Sequence, residues 1–219
     1  MLSANAIVNL HDSLTRGWHL EPEIAEAEAP TGVETWKSAT GPGAVRVWLS
    51  SVARHHRANF DLWHIEDEAR APGASDAAVA GVKRRIDRAN QFRNDQTEEL
   101  DRALLEWLAP QALPAAQSPL HSESPGLMID RLSILALKIF HTREEAERVS
   151  APDGHGERNR ERLTILEEQR ADLAACLDSL WRETLAGTRR FKIYRQLKMY
   201  NDPSLNPAIY GSQRQDPGQ

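Results

Sequence analysis

Residues 59–70 read NFDLWHIEDEAR, and this stretch indicates the fold because it combines a helical apolar pattern with polar groups on the same face. At about 100° per residue, Trp48, Val52 and Trp63 lie on one side of a helix. Asn59 and Glu66 lie on that side too. A buried amide or carboxylate without a partner costs several kcal/mol. The stretch therefore predicts a packed helix whose polar groups are paired with groups from other parts of the chain.

Around this stretch, apolar repeats and Pro- or Gly-containing breaks predict four long helices, at about 44–70, 75–109, 127–149 and 157–186. Ser3 is expected to cap a shorter helix that ends near Gly17, and a basic, aromatic helix is expected from Arg189. The third long helix contains LMIDRLSILALKIF, which is apolar nearly all round and should be the most buried. The predicted fold class is all-α, a helical bundle of about four long helices plus short terminal helices.

The length of 219 residues fits a single helical domain over residues 1–210, with residues 211–219 as a disordered tail. Cys176 lies in a helical pattern beside Leu173 and Leu177, and we interpret it as a packing residue and not as a reactive thiol. The regular leucine stripe over residues 166–180 is compatible with a homodimer and equally with packing inside one chain.

The formal net charge of −5 and the pI near 5.9 give no general reason to bind nucleic acid, so no nucleic-acid partner is expected. No apolar run approaches the ~18 residues of a membrane span. The N-terminus also lacks the basic and apolar regions of a signal peptide. We therefore expect a cytoplasmic protein without a transmembrane segment.

The second and third long helices repeat the polar interruption of the first. The stripe of the second helix, from Val79 to Leu108, has a polar middle formed by Asn90, Arg93, Asn94, Thr97 and Asp101. On the third helix Asp130, Lys138 and His141 lie near one line, and Asp130 could pair with Lys138 or, through the fold, with Arg93. The sequence therefore predicts a polar site where the first three long helices meet the C-terminal motif.

Four segments together carry a family resemblance: NFDLWHIEDEAR, NQFRND with the following Asp101, MIDRLSILALKIFH, and KIYRQLKMYNDPSLNP. The chain resembles the bacterial family called domain of unknown function (DUF) 4254, from roughly residue 18 to residue 207. It departs from the family pattern at Phe140, where Tyr is usual, and at Leu197, where Phe is usual. The resemblance implies a helical fold and an association with genes for sugar transfer and cell-envelope polysaccharides, but no established activity.

The first functional hypothesis is a site between the helices for an anionic or sugar-phosphate small molecule. Cationic side chains would bind the anion, amides and carboxylates would bind hydroxyl groups, and an aromatic ring would cover a sugar. The expected ligand-binding residues are Asn59, Trp63, Arg70, Asn90, Arg93, Asn94, Lys138, Tyr194, Arg195 and Lys198. The alternative is a closed structural network in which Glu66 or Asp67 pairs with Arg93 or Lys138.

The second hypothesis is an enzyme in which His64 or His141 carries a proton beside Glu66, Asp67 or Asp130. A histidine near a carboxylate suits general acid or base catalysis at neutral pH. The chain has no Gly-x-Ser-x-Gly motif, Walker loop or dinucleotide fingerprint, so no independent motif supports a particular reaction.

A metal-dependent hydrolase or transferase is a variant of that hypothesis, with Glu66, Asp67 and Asp101 as candidate ligands. The spacing differs from the Glu-x-x-His pairs of ferritin-like sites. The His55-His56 pair is interpreted as half-buried helix residues and not as ligands, and the sequence identifies no particular cofactor.

The third hypothesis is a non-enzymatic adaptor for a glycosyltransferase system, which would bind an envelope-polysaccharide enzyme. Its docking surface would be the basic stretch 189–198, in which Phe191 and Tyr194 alternate with cationic residues. The same stretch is equally explained as a final helix that packs on the domain with its basic face in solvent.

Overall fold

A computed structural model of the chain describes residues 3–21, 42–197 and 204–207. Within these residues the secondary structure is helical, which confirms the all-α prediction. The helices are α1 (Ala4–Leu20), α2 (Pro42–Glu68), α3 (Asp76–Leu108), α4 (Pro125–Glu147) and α5 (His155–Leu185), with a 3-10 turn at Ala109–Gln111. Segment 22–41 and tail 211–219 lie outside the described residues.

Serine caps fix the beginnings of three helices, as local sequence chemistry predicts. Ser3 accepts a hydrogen bond from the Ala6 amide at 3.4 Å, Ser75 from the Ala78 amide at 3.3 Å, and Ser124 from the Leu127 amide at 3.3 Å. Helix α1 does not end near Gly17 as predicted but continues to Leu20. A single glycine inside a helix costs only about 1 kcal/mol, which the buried contacts of Trp18 in the next turn offset.

Helix α4 is the centre of the bundle and contacts each of the other four helices. Its apolar side chains are buried on most sides, which confirms the prediction from its nearly all-round apolar sequence. The main core combines residues from all five helices, for example Ile7, Trp48, Leu104, Leu132 and Leu177, each completely or almost completely buried. This core fixes the positions from which α2, α3 and α4 present their polar groups.

The first two turns of α3 lie outside the core. Val79 was expected in the apolar stripe, but it is 39% exposed, and residues 71–80 around it are all exposed. The stripe becomes buried only from Ile86 onward, where α3 packs against its neighbours. The periodicity predicted the buried side of α3 correctly, but not how far that side is covered.

The predicted C-terminal helix is wrong over residues 189–197, where the structure has no helix and no regular element beyond one bridge residue. Gly187, with φ +71°, ends α5. Arg190 then forms a parallel bridge with Leu120: its amide donates to the Pro119 carbonyl at 3.0 Å, and its carbonyl accepts from the His121 amide at 2.8 Å. The Arg190 backbone is therefore paired with loop residues and Phe191 is buried in the core, so this stretch is anchored without forming a helix.

Cys176 is exposed, so its interpretation as a packing residue is wrong. It lies on the outer face of α5, whereas its neighbours Leu173, Leu177 and Leu180 are buried inside the bundle. This part of the leucine stripe is therefore used within one chain. None of the described helices has a stretch long and apolar enough to cross a membrane.

Candidate functional site

The carboxylate of Asp130 joins helices α2, α3 and α4 in the interior of the bundle. The residue is 5% exposed and accepts hydrogen bonds from His55 Nε2 at 3.0 Å and from Asn59 Nδ2 at 2.9 Å. Arg93 donates to both carboxylate oxygens, from Nε at 2.9 Å and from Nη2 at 2.8 Å. Such a bidentate pair fixes geometry as well as charge.

Burial of Asp130 acts to raise its pKa, but the hydrogen bond and charge of His55, the charge of Arg93 and the hydrogen bond from Asn59 outweigh burial and lower the pKa to about 2. The carboxylate is therefore ionised at neutral pH. Of the two cations that the sequence offered to Asp130, Arg93 is the partner, whereas Lys138 is exposed.

A second buried polar group lies next to this network. His56 is fully buried and hydrogen-bonds through Nδ1 to Ser133 Oγ at 2.7 Å and through Nε2 to Thr15 Oγ1 at 2.9 Å. Its ring stacks on His11 at 4.4 Å. Burial, followed by the nearby His55, lowers the pKa of His56 to about 3, so the ring is neutral. The prediction of a half-buried His55-His56 pair is wrong, because both residues are completely buried.

A pocket of about 450 Å³ opens beside the Asp130 network, and we call it the α2–α3–α4 pocket. Polar and apolar groups share its wall, which consists of Asn59, Leu62, Trp63, Glu66, Asp67, Arg70, Asn90, Arg93, Ile134 and Leu137. Five of the expected ligand-binding residues, Asn59, Trp63, Arg70, Asn90 and Arg93, therefore meet there, together with Glu66 and Asp67.

Both arginines of the pocket already have carboxylate partners. Arg93 is bound to Asp130, and Arg70 Nη2 lies 3.3 Å from Glu66 Oε2 in an i,i+4 pair. The closed network expected from the sequence, in which Glu66 or Asp67 pairs with Arg93 or Lys138, is therefore wrong in its partners. The Arg70 side chain is 68% exposed, and an exposed pair of this kind contributes only about 0.3–0.5 kcal/mol. Arg70 Nη1 also donates to the Glu66 carbonyl oxygen at 2.6 Å, so Nη2 is the donor that can exchange the Glu66 carboxylate for a ligand at little cost.

The other expected ligand-binding residues lie elsewhere. Asn94 is buried but does not contribute to the pocket wall. Lys138 lines a larger, neighbouring groove of about 780 Å³, which we call the α4–α5 groove; Cys176 lines it too, and Ile134 lines both this groove and the pocket. Tyr194 is half-buried, with Lys192 Nζ 5.2 Å from its ring centre, and Arg195 is exposed. Lys198 lies outside the described residues.

Asp101, a candidate metal ligand from the sequence, has a structural environment. It accepts a hydrogen bond from the Gly126 amide at 2.7 Å, at the beginning of α4. Burial raises the pKa of Asp101 to about 7, against the lowering effect of hydrogen bonds from Ser124 and Gly126. Asp101 is eight residues beyond Arg93 on α3, roughly 12 Å along the axis. The structure therefore does not bring it to Glu66 and Asp67, and this three-residue metal set is wrong.

The candidate proton carriers have partners other than the expected ones. His141 Nδ1 lies 2.9 Å from Glu144 Oε2, and His64 Nδ1 lies 2.8 Å from the Phe60 carbonyl oxygen. The histidine beside Asp130 is His55. The rings of His64 and His141 lie close to each other and to the ring of His19 on α1. The sequence did not identify His19 as a site residue, because the predicted helix ended before it.

These features define an all-α helical bundle whose buried ionic network supports a side pocket. The chain belongs to the family described as "Protein of unknown function (DUF4254)", which matches residues 49–193 and confirms the resemblance seen in the sequence. The matched region contains the Asp130 network, the α2–α3–α4 pocket, His64 and His141, and it excludes α1 with His19. No curated protein matches the chain, and no solved structure does.

Proposed function

We propose that the α2–α3–α4 pocket binds a small molecule that carries both sugar hydroxyl groups and an anionic group, as a sugar phosphate does. The observation that supports this most directly is the pocket itself. Its volume of about 450 Å³ suits a ligand of this size, and hydrogen-bonding side chains from α2 and α3 converge in its wall.

The sugar hydroxyl groups would bind to the amide and carboxylate side chains of the wall. Asn59 is held in place because its amide nitrogen donates to Asp130 at 2.9 Å. Asn90 lies close to Arg93, and Glu66 and Asp67 provide acceptors at the mouth. Trp63 provides an aromatic surface against which the apolar side of a sugar ring can pack.

The anionic group would bind to donors of the two arginines that are weakly held. Arg70 has its exposed pair with Glu66, and Arg93 Nη1 contacts Asn90 Oδ1 only at 3.4 Å. A phosphate could therefore displace Glu66 from Arg70 without breaking the bidentate Arg93–Asp130 pair. Charge-assisted hydrogen bonds of this kind contribute roughly 1.5–3 kcal/mol each.

The two carboxylates of the α2–α3–α4 pocket mean that a ligand needs hydroxyl groups in order to bind well. Glu66 and Asp67 repel a simple anion, whereas a ligand with hydroxyl groups gives them donors. Inorganic phosphate should consequently bind much more weakly than a sugar phosphate. The resemblance to proteins associated with envelope polysaccharides favours sugar phosphates or nucleotide sugars, the substrates of glycosyl transfer, as the ligand class.

The test is isothermal titration calorimetry with hexose 1-phosphates, the parent hexoses and inorganic phosphate. Arg70→Gln should weaken binding of the hexose 1-phosphate by about tenfold, the effect of one charge-assisted bond, and leave any binding of the neutral hexose unchanged. Arg88→Gln, an exposed arginine on α3, is the matched control and should bind like the wild type. Equal affinity in the Arg70 variant and the control, or no binding of any sugar phosphate at millimolar concentration, would contradict the proposal.

A further inference from the structure

Three histidines from three helices converge beside the pocket. His19 of α1, His64 of α2 and His141 of α4 each place one ring nitrogen within 4.8 Å of the other two. Their ring centres are 4.9–5.9 Å apart. All three residues are partly buried, and the fold brings them together from positions more than forty residues apart in the chain.

The Nδ1 atom of each ring is already engaged. His19 Nδ1 lies 2.7 Å from the Thr15 carbonyl oxygen, and His64 Nδ1 lies 2.8 Å from the Phe60 carbonyl oxygen. A carbonyl only accepts, so both Nδ1 atoms carry the hydrogen and both Nε2 atoms have a free lone pair. The carboxylate of Glu144, 2.9 Å from His141 Nδ1, imposes the same tautomer on His141.

This arrangement is the one that histidine ligands of metal ions adopt. A metal-bound histidine usually donates its other ring N–H to a backbone carbonyl or a carboxylate, which fixes the orientation of the ring and makes the ligand atom more basic. Here two rings have a carbonyl partner and the third has a carboxylate.

Two of the three Nε2 atoms are also buried without a hydrogen-bond partner. The Nε2 atoms of His19 and His141 are shielded from solvent, and no side chain or backbone group within residues 3–21, 42–197 and 204–207 hydrogen-bonds to them. A buried acceptor without a partner destabilises the fold, and coordination of a cation would remove that penalty.

Aromatic rings enclose the cluster. Phe140 stacks on His19 with ring centres 4.3 Å apart, and Trp63 stacks on His141 at 5.0 Å with 10° between the planes. Phe60 lies against His64 at 4.3 Å. These contacts hold the three histidine rings beside one another.

We propose that His19, His64 and His141 bind a divalent transition-metal ion of the Zn²⁺ class through their Nε2 atoms. Metal–nitrogen distances of about 2.1 Å require ligand atoms about 3.4 Å apart in a tetrahedral site, so small rotations of the three rings would close the site. Three histidines leave a fourth position for water or another ligand. Trp63 borders both this histidine site and the α2–α3–α4 pocket, but neither site needs the other to be occupied.

The direct test is to free the full chain of metal by chelation and dialysis and then to titrate it with Zn²⁺ in a calorimeter. One ion per chain should bind, and Co²⁺ in its place should give the visible absorption bands of a tetrahedral site. His19→Gln, His64→Gln and His141→Gln should each weaken Zn²⁺ binding by about 100-fold or more. His155→Gln, which changes a histidine paired with Glu145 at the beginning of α5, is the matched control and should bind like the wild type.

Glu144→Gln keeps the test informative if a histidine variant does not fold, because Glu144 is 55% exposed and its loss should not disturb the core. It should weaken Zn²⁺ binding by about tenfold through the orientation of His141. Circular dichroism verifies the helical fold of each variant. The absence of stoichiometric Zn²⁺ binding by the wild type would overturn the proposal, and so would equal affinity of a folded His141→Gln protein and the His155→Gln control.

Discussion

The substitution Asp130→Asn should destabilise the protein strongly, because it places an amide where three side chains donate. Asp130 is 5% exposed, and its carboxylate accepts from His55, Asn59 and Arg93. An asparagine keeps one acceptor oxygen, but its NH₂ group faces a donor, and the Arg93 guanidinium loses its counter-charge. Removal of one partner from a buried ion pair costs about 3–5 kcal/mol.

The same network predicts a pH dependence. The pKa of Asp130 is about 2 in the folded protein and 3.8 in the reference state, so the carboxylate stabilises the fold above pH 3.8, and this contribution is lost as the pH falls through 2. The difference of almost two pKa units corresponds to about 2 kcal/mol. The asparagine variant has no such group, so its deficit relative to the wild type should shrink between pH 4 and pH 2.

Urea denaturation, monitored by circular dichroism at a series of pH values, measures both the loss of unfolding free energy and its pH dependence. At pH 7 the melting temperature should also fall, by roughly 6–20 °C for a chain of this size. Asp172→Asn, an exposed carboxylate on α5, is the control and should change the free energy of unfolding by less than about 0.5 kcal/mol. A loss of stability below about 1 kcal/mol for Asp130→Asn, or a deficit independent of pH, would show that the Asp130 network does not stabilise the fold in this way.

Two further predictions concern the beginning of α4. The pKa of Asp101 is raised to about 7 from 3.8, so its stabilising contribution is complete below pH 3.8 and is lost as the pH rises to 7. Asp101→Asn should therefore remove up to about 4 kcal/mol of the pH dependence of stability between pH 4 and 7. If the urea midpoint shifted equally with pH in the wild type and in the Asp101→Asn variant, this prediction would be contradicted. A Cβ at Gly126 would lie 2.6 Å from the Thr97 carbonyl oxygen and 2.8 Å from Asp101, so Gly126→Ala should lower the free energy of unfolding by about 1–3 kcal/mol. Gly81→Ala, where a Cβ would meet nothing within 4 Å, should instead stabilise α3 by up to about 1 kcal/mol, and similar denaturation curves for the two variants would disprove the steric argument.

The helices were predictable because their signals are local. Apolar residues repeat at helical spacing, and Ser3, Ser75 and Ser124 each precede a helix that they cap. The stretch 189–197 also has a helical apolar spacing, but the backbone of Arg190 within it pairs with loop residues about seventy positions earlier. Only the tertiary structure provides that competing partner.

The site was predictable as a region and not as a set of pairs. Polar residues on an apolar helix face identified Asn59, Arg93 and Asp130 as groups that need partners, and the structure brings the three together. Which cation reaches Asp130 depends on the rotation of the packed helices, so the sequence could not choose between Arg93 and Lys138. The role of His55, 75 positions before Asp130, was missed for the same reason.

The histidine cluster had no recognisable sequence signal, because its members are distributed over three helices without a ligand-spacing motif. Its first member, His19, follows Gly17, where the sequence predicted the helix to end. The i−4 carbonyl contacts of His19 and His64 follow from helix geometry once the helices are known. Their convergence with His141 follows only from packing.

Amide NMR spectra of the labelled protein during addition of a hexose 1-phosphate would locate the bound ligand and so test the proposal that it binds in the α2–α3–α4 pocket. Binding in the pocket predicts shifts that concentrate in residues 59–70, 90–93 and 134–137 and include the Trp63 indole. Shifts confined to residues such as His121, Arg131, Gln169 and Asp172, which line the α4–α5 groove, would contradict the assignment, and so would an unchanged spectrum at millimolar ligand.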